Sequence, residues 1–226
     1  MARQAPLAAP AIAEDPVPAD GRLARGQRTR VKVAEALISL LEAGDSQPTA
    51  KEVADRADIS VRLVFHHFED MEAVYRAVIS LQAARHWGNL REVPADLPLA
   101  DRIEQTVRQR ARLFDAIGAV RRAVTPQALR STELSSMVAQ SNLFLRDLLA
   151  HTFVDVLEAA GPEAGARGRG QLLDAVDLAA SWEAWDRLRT RQGLSAAAAR
   201  RVMAHLLGAL LGAGVDADAC AAQPGR

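Results

Sequence analysis

The sequence predicts an all-α fold: three short helices near the N-terminus, then a larger helical remainder. Three observations predict it. Strand formers are scarce, with one Tyr in 226 residues and 4% aromatics, while Ala, Leu, Arg and Glu, the better helix formers, abound. Apolar residues recur at helical spacing, as in Ala34, Leu37, Ile38 and Leu41 at i, i+3, i+4 and i+7. Helix-start residues stand where such stripes begin: Thr49 with Glu52, Ser60, and Asp70.

In order along the chain, residues 1–21 hold four prolines and no apolar period, the pattern of a disordered arm. Arg22, Arg25, Arg28, Arg30 and Lys32 come next with no acidic residue among them, and are expected as a basic arm ahead of the first helix. The Ala34–Leu41 stripe carries that helix to Gly44. Thr49-Ala50-Lys51-Glu52 is a capping box, in which hydroxyl and carboxylate each satisfy the other residue's amide. It opens a short second helix with Val53, Ala54 and Ala57 inward. Asp58-Ile59-Ser60 is a tight turn, since Asp tolerates left-handed backbone, and Ser60 caps a third helix ending near His67. Asp70 caps a fourth, with Val74, Ala77, Val78 and Leu81 inward.

Pro94 and Pro98 mark the next break. Ile103, Val107, Ala111 and Phe114 share one helix face, and Pro126 is expected to interrupt the helical pattern beyond it. Val138, Ser141, Leu145, Leu148, Leu149 and Val156 line another helix that ends at Gly161-Pro162. Residues 161–170 read as a flexible loop, and two helices, about 171–191 and 195–213, close the chain. The domains expected are 22–80 and 81–215, with a flexible tail at 216–226.

Composition excludes several classes. Lys and Arg (28) balance Asp and Glu (28), so overall charge points to no polyanion. The one cysteine, Cys220, supports neither a disulfide framework nor a multi-cysteine zinc site, and is expected to be inert in the tail. The longest apolar run, Leu206 to Val215, is about half the roughly 18 residues that a membrane span needs. Prolines, Glu14 and Asp15 break the stretch where a signal peptide needs continuous apolar residues. A cytoplasmic protein without a membrane partner is expected.

Two short helices joined by a three-residue turn and preceded by a third make a helix-turn-helix. Small residues such as Ala54 let the helix axes approach. Ile59, Val64 and Phe68 would anchor the third helix inward, leaving Val61, Arg62, His66 and part of Phe65 outward. A face of that size suits the major groove of double-stranded DNA. Arg62 can pair with guanine O6 and N7, and Val61 or Leu63 can meet a thymine methyl. The helix start at Thr49 and Ser60, Lys51, and the arm residues Arg28 and Arg30 are candidate phosphate contacts. His66 and His67 suit stacking or phosphate contact, His67 equally a capping or packing role. Over residues 22–85, ten Lys and Arg face nine Asp and Glu, so binding would rest on a local patch.

The run Thr49-Ala50-Lys51-Glu52-Val53-Ala54, then Ala57-Asp58-Ile59-Ser60, then Val64-Phe65-His66-His67-Phe68-Glu69-Asp70-Met71-Glu72-Ala73-Val74 resembles the DNA-binding domain of TetR-family transcriptional regulators. The resemblance covers about residues 28–80. It implies an all-helical homodimer, a repressor released from a palindromic operator by a small, largely apolar effector that a divergent C-terminal domain binds. The chain departs from the family at three places. Asp58 stands where Gly is common, Phe65 where a Tyr hydroxyl meets phosphate, and Met71 where a Lys does.

Beyond the motif, Trp87, Phe114, Phe144, His151 and Trp182 are the groups available to line a ligand pocket between helices. Val176, Trp185, Val202, Leu206 and Leu210 are expected in a helical dimer interface. Asp147, His151 and Asp155 fall at i, i+4 and i+8, and an exposed charge pair accounts for them better than a metal site. No cofactor is implied, and no catalytic constellation supports an enzyme. The alternative function is a TetR-like effector-binding or interaction protein whose DNA binding is degenerate.

Overall fold

A computed structural model describes residues 21–159 and 161–212, and it is helical throughout, with no strand among those residues. The expected N-terminal arm (except Gly21), the tail with Cys220 and the Arg22 side chain lie outside what is described. The α-helices are α1 (Gly21–Glu42), α2 (Ala50–Arg56), α3 (Val61–His67), α4 (Met71–His86), α5 (Leu99–Ala128), α6 (Thr132–Thr152), α7 (Val154–Ala159), α8 (Gly161–Ala179), α9 (Trp182–Asp186) and α10 (Ala196–Leu211).

The chain forms two compact units, and the division is not a single cut near residue 80. The first unit takes the described residues up to Asn89 together with Ile117–Ser141; the second takes Leu90–Ala116 and the described residues from Asn142 on. In the first, α1 packs against α2, α3 and α4. Val33, Leu37, Val53, Val64, Val74 and Val78, all at 0% exposure, form its core with Val120, Val124 and Leu134 from the inserted segment. Polar contacts reinforce this junction. Ser131 Oγ donates to Glu72 Oε1 at 2.7 Å, and Arg76 reaches Glu133 at 2.6 Å and Glu72 at 3.2 Å.

Four local expectations are corrected. The basic segment is not an arm: it is the N-terminal half of α1, because Arg, Lys, Gln and Ala propagate a helix well even without an apolar stripe. Pro126 does not interrupt α5, which runs to Ala128; the proline sits in the last turn, where little helix is left to break. Residues 161–170 are helical, the first half of α8. Pro162 falls in the first turn, where its missing N–H is no loss, and the apolar second half carries the glycine-rich start cooperatively. The expected helix over 171–191 is the second half of α8, then α9, which a π-helical turn over Arg187–Arg191 continues. Ser181 starts α9, its Oγ accepting from the Ala184 amide at 3.1 Å.

Candidate nucleic-acid interface

The turn between α2 and α3 is set by local chemistry. Thr49 Oγ1 accepts from the Glu52 amide at 3.3 Å, and Glu52 Oε2 accepts from the Thr49 amide at 2.7 Å, so the capping box closes as expected. Glu52 titrates below its ordinary value because the Thr49 hydroxyl and amide hydrogen-bond its charged form. Asp58 has φ 50°, the left-handed corner that redirects the chain. The Ile59 amide then returns to Ala54 O at 3.0 Å, and Ser60 Oγ accepts from the Leu63 amide at 3.2 Å.

This frame orients α3. Val64 and Phe68 are buried, at 0% and 2% exposure, while Arg62 and His66 are exposed and Phe65 is 47% exposed. Val61 and Leu63 are half-buried. Val61 and Met71 pack at the edge of the core, so where the TetR pattern carries a phosphate-directed lysine, Met71 serves packing.

The cations expected to meet DNA divide into two groups. Arg62 and Arg28 are exposed and have no hydrogen bond or ion pair among the described residues. The others are engaged. Lys51 pairs with Asp55 at 2.7 Å across an exposed helix face; the Asp55 hydrogen bond raises its pKa. Arg30 Nη1 donates to the His67 carbonyl at 2.5 Å, and its guanidinium lies over the Phe68 ring at 4.5 Å. The His67 ring is half-buried and edge-on to His66 at 5.1 Å. At the start of α2, Thr49 is occupied by Glu52, whose carboxylate stands where a phosphate would approach.

The residues expected to line a ligand pocket fall in both units. Trp87 is buried in the first unit and the other four belong to the second. Phe114 and Trp182 stack edge to face at 5.9 Å, and Phe144 is buried at 8% exposure. His151 Nδ1 lies 2.7 Å from Asp147 O; a carbonyl only accepts, so that nitrogen carries the proton. His151 thus meets the Asp147 backbone, not its carboxylate. Asp155 instead receives a fork from Arg102, at 2.6 and 2.9 Å, which holds its carboxyl below the ordinary value. Among the described residues no group of three or more His, Cys, Asp or Glu is placed to hold a metal.

Of the residues expected at a dimer interface, Val176 and Trp185 are buried within the chain itself, at 0% and 1% exposure. Trp185 Nε1 donates to Asp115 Oδ1 at 3.1 Å. Val202 is half-buried, while Leu206 and Leu210 are exposed.

A polar stripe on α5 was missed in the sequence: Arg102, Thr106 and Arg110, all under 7% exposed. Their i, i+4, i+8 spacing beside the Ile103–Val107 face was the available signal. No described helix is long and apolar enough to cross a membrane. No family model, curated protein or solved structure matches the chain, so its functional reading stands on these side chains.

Proposed function

We propose that the chain is a DNA-binding transcriptional regulator with a TetR-like helix-turn-helix. It acts in the cytoplasm as a homodimeric repressor on a palindromic operator, and a small effector in the helical remainder releases it. One observation carries the reading: Arg62 stands uncommitted on the exposed face of a helix whose opposite face is anchored by Val64 and Phe68. A guanidinium held this way is free for a bidentate bond to guanine. The test is selection of bound fragments from a random DNA pool, then salt titration. Wild-type protein should enrich a two-fold symmetric sequence, and Arg62→Ala should relax preference at one position per half-site, at a cost of about 1–3 kcal/mol.

A second reading is favoured by the engaged cations. With Lys51 paired to Asp55 and Arg30 bound to His67, two of the four cations expected at DNA are committed within the chain, which weakens the drive for phosphate binding. On that reading the chain is an effector-binding or interaction protein that keeps the fold, and the pool yields no enriched sequence.

A further inference from the structure

We propose that a cleft in the second unit binds the carboxylate group of a small organic acid, through the Arg110 guanidinium and the Thr106 hydroxyl. The cleft lies between α5, α6 and the segment after Asn89, with Val93, Leu148 and Leu149 as apolar walls. Arg110 is 3% exposed. Its Nη2 donates to Leu145 O at 2.5 Å, its one hydrogen bond among the described residues, although a guanidinium has five N–H donors. Thr106, one turn earlier on the same helix, is 6% exposed, and its Oγ1 is buried without a partner. Gln109 also lines the cleft; its Oε1 accepts from the Arg91 amide at 2.7 Å, which leaves its NH2 group uncommitted.

Three kinds of donor thus converge on one space with little to receive them. Burial of a cation costs free energy unless an anion or acceptor compensates it. Burial draws Arg110 down to about 10, and half-buried Asp177 acts in the opposite direction. Asp177 is itself shared: Arg146 reaches it at 3.6 Å while bonding Asp174 at 2.6 Å. Arg110 therefore stays charged at neutral pH and under-compensated. A carboxylate takes two parallel N–H bonds from such a fork and accepts a third from Thr106. The enclosed part of the cleft is narrow and its mouth is open to solvent, so a carboxylate head would enter first and a short aliphatic tail would lie along Val93 and Leu148. This differs from the largely apolar effector that the family resemblance implies, and it holds whether or not the chain binds DNA.

The experiment is calorimetric titration of the full chain, without DNA, with butyrate, its neutral isostere butyramide, and sulfate. Saturable butyrate binding, with none by butyramide, is expected. Thr106→Val removes the hydroxyl at nearly constant shape and should weaken butyrate about tenfold. Arg110→Met should abolish binding, and Arg112→Ala, an exposed residue of the same helix, should leave it unchanged. If Arg110→Met fails to fold, the Thr106→Val comparison still decides. Equal binding of butyrate and butyramide, sulfate binding alone, no binding beyond water, or butyrate binding indifferent to Thr106→Val would each overturn the proposal.

Discussion

Arg30 and His67, 37 residues apart, are joined by a 2.5 Å hydrogen bond from the guanidinium of one to the carbonyl of the other. The bond lies at the C-terminal end of α3, where helix carbonyls lack intrahelical partners and a cation is favoured. The same guanidinium covers the Phe68 ring. Arg30 thus fixes α3 against α1, a role that needs no phosphate. Arg30→Met should lower unfolding free energy by about 1–3 kcal/mol, read by urea denaturation. The slope of log affinity for DNA against log salt should stay as in wild type. A slope smaller by about one, with stability intact, would make Arg30 a phosphate contact after all.

The His67 ring answers to pH. Partial burial, with His66 and Arg30 as neighbouring positive groups, holds it below its ordinary value of 6.5. In the unfolded chain it takes its proton near that value, in the folded chain only at lower pH. Between the two the unfolded state binds more protons, so stability falls as pH drops below 6.5 and is level above it. His86, depressed by burial and by Arg85, adds a slope of the same sign. Melting temperatures between pH 7.5 and 5 should therefore decline more shallowly for His67→Gln than for wild type, and more shallowly again when His86→Gln is added. Unchanged slopes would show that the ring titrates freely.

The two departures from the TetR pattern at the edge of α3 can be reversed. Phe65 is 47% exposed, so a Tyr hydroxyl there has room to point outward. Met71 is half-buried at the start of α4, and a lysine can lay its stem over the same core edge with its ammonium in solvent. On the proposed geometry, Phe65→Tyr should strengthen operator binding several-fold with little change in salt dependence, since a neutral donor releases no counterion. Met71→Lys should steepen the salt slope by about one. Fluorescence anisotropy over a salt series separates the two effects, and failure of both variants to change affinity would place α3 away from DNA.

The features legible in the sequence were local. The caps at Thr49, Ser60 and Asp70 each act within three residues, and all three form. The left-handed corner falls on Asp58, a residue type that tolerates it without a distant partner. The inward positions of α3 come from one helical period. The features that stayed hidden depend on distant partners. Nothing near Arg102 announces Asp155, 53 residues on, and nothing in residues 117–141 shows that Val124 and Leu134 complete the core of the N-terminal unit. The N-terminal half of α1 escaped because its charged residues carry no apolar stripe and no cap. Apolar spacing likewise says that a residue is covered, not by what, and Val176 and Trp185 are covered within their own chain.

Leu206 and Leu210 remain the residues that a second subunit could cover. They lie one turn apart on α10, 42% and 37% exposed, while Met203 and Leu207 on the same helix are at 0%. α10 packs on α8, where Leu178 is 69% exposed. Isolated surface leucines are ordinary, but a pair in register on a helix of this composition matches a self-complementary helical interface. Sedimentation equilibrium should show a dimer for wild type. Leu206→Glu with Leu210→Glu should shift the dissociation constant by more than a hundredfold, because four like charges meet across a two-fold axis. Circular dichroism should stay unchanged, since neither side chain supports its own subunit's core. DNA affinity should fall with the dimer, as two half-sites are then no longer bound together. A wild-type chain that sediments as a monomer at every concentration would remove the dimer, and with it the expectation of a palindromic operator.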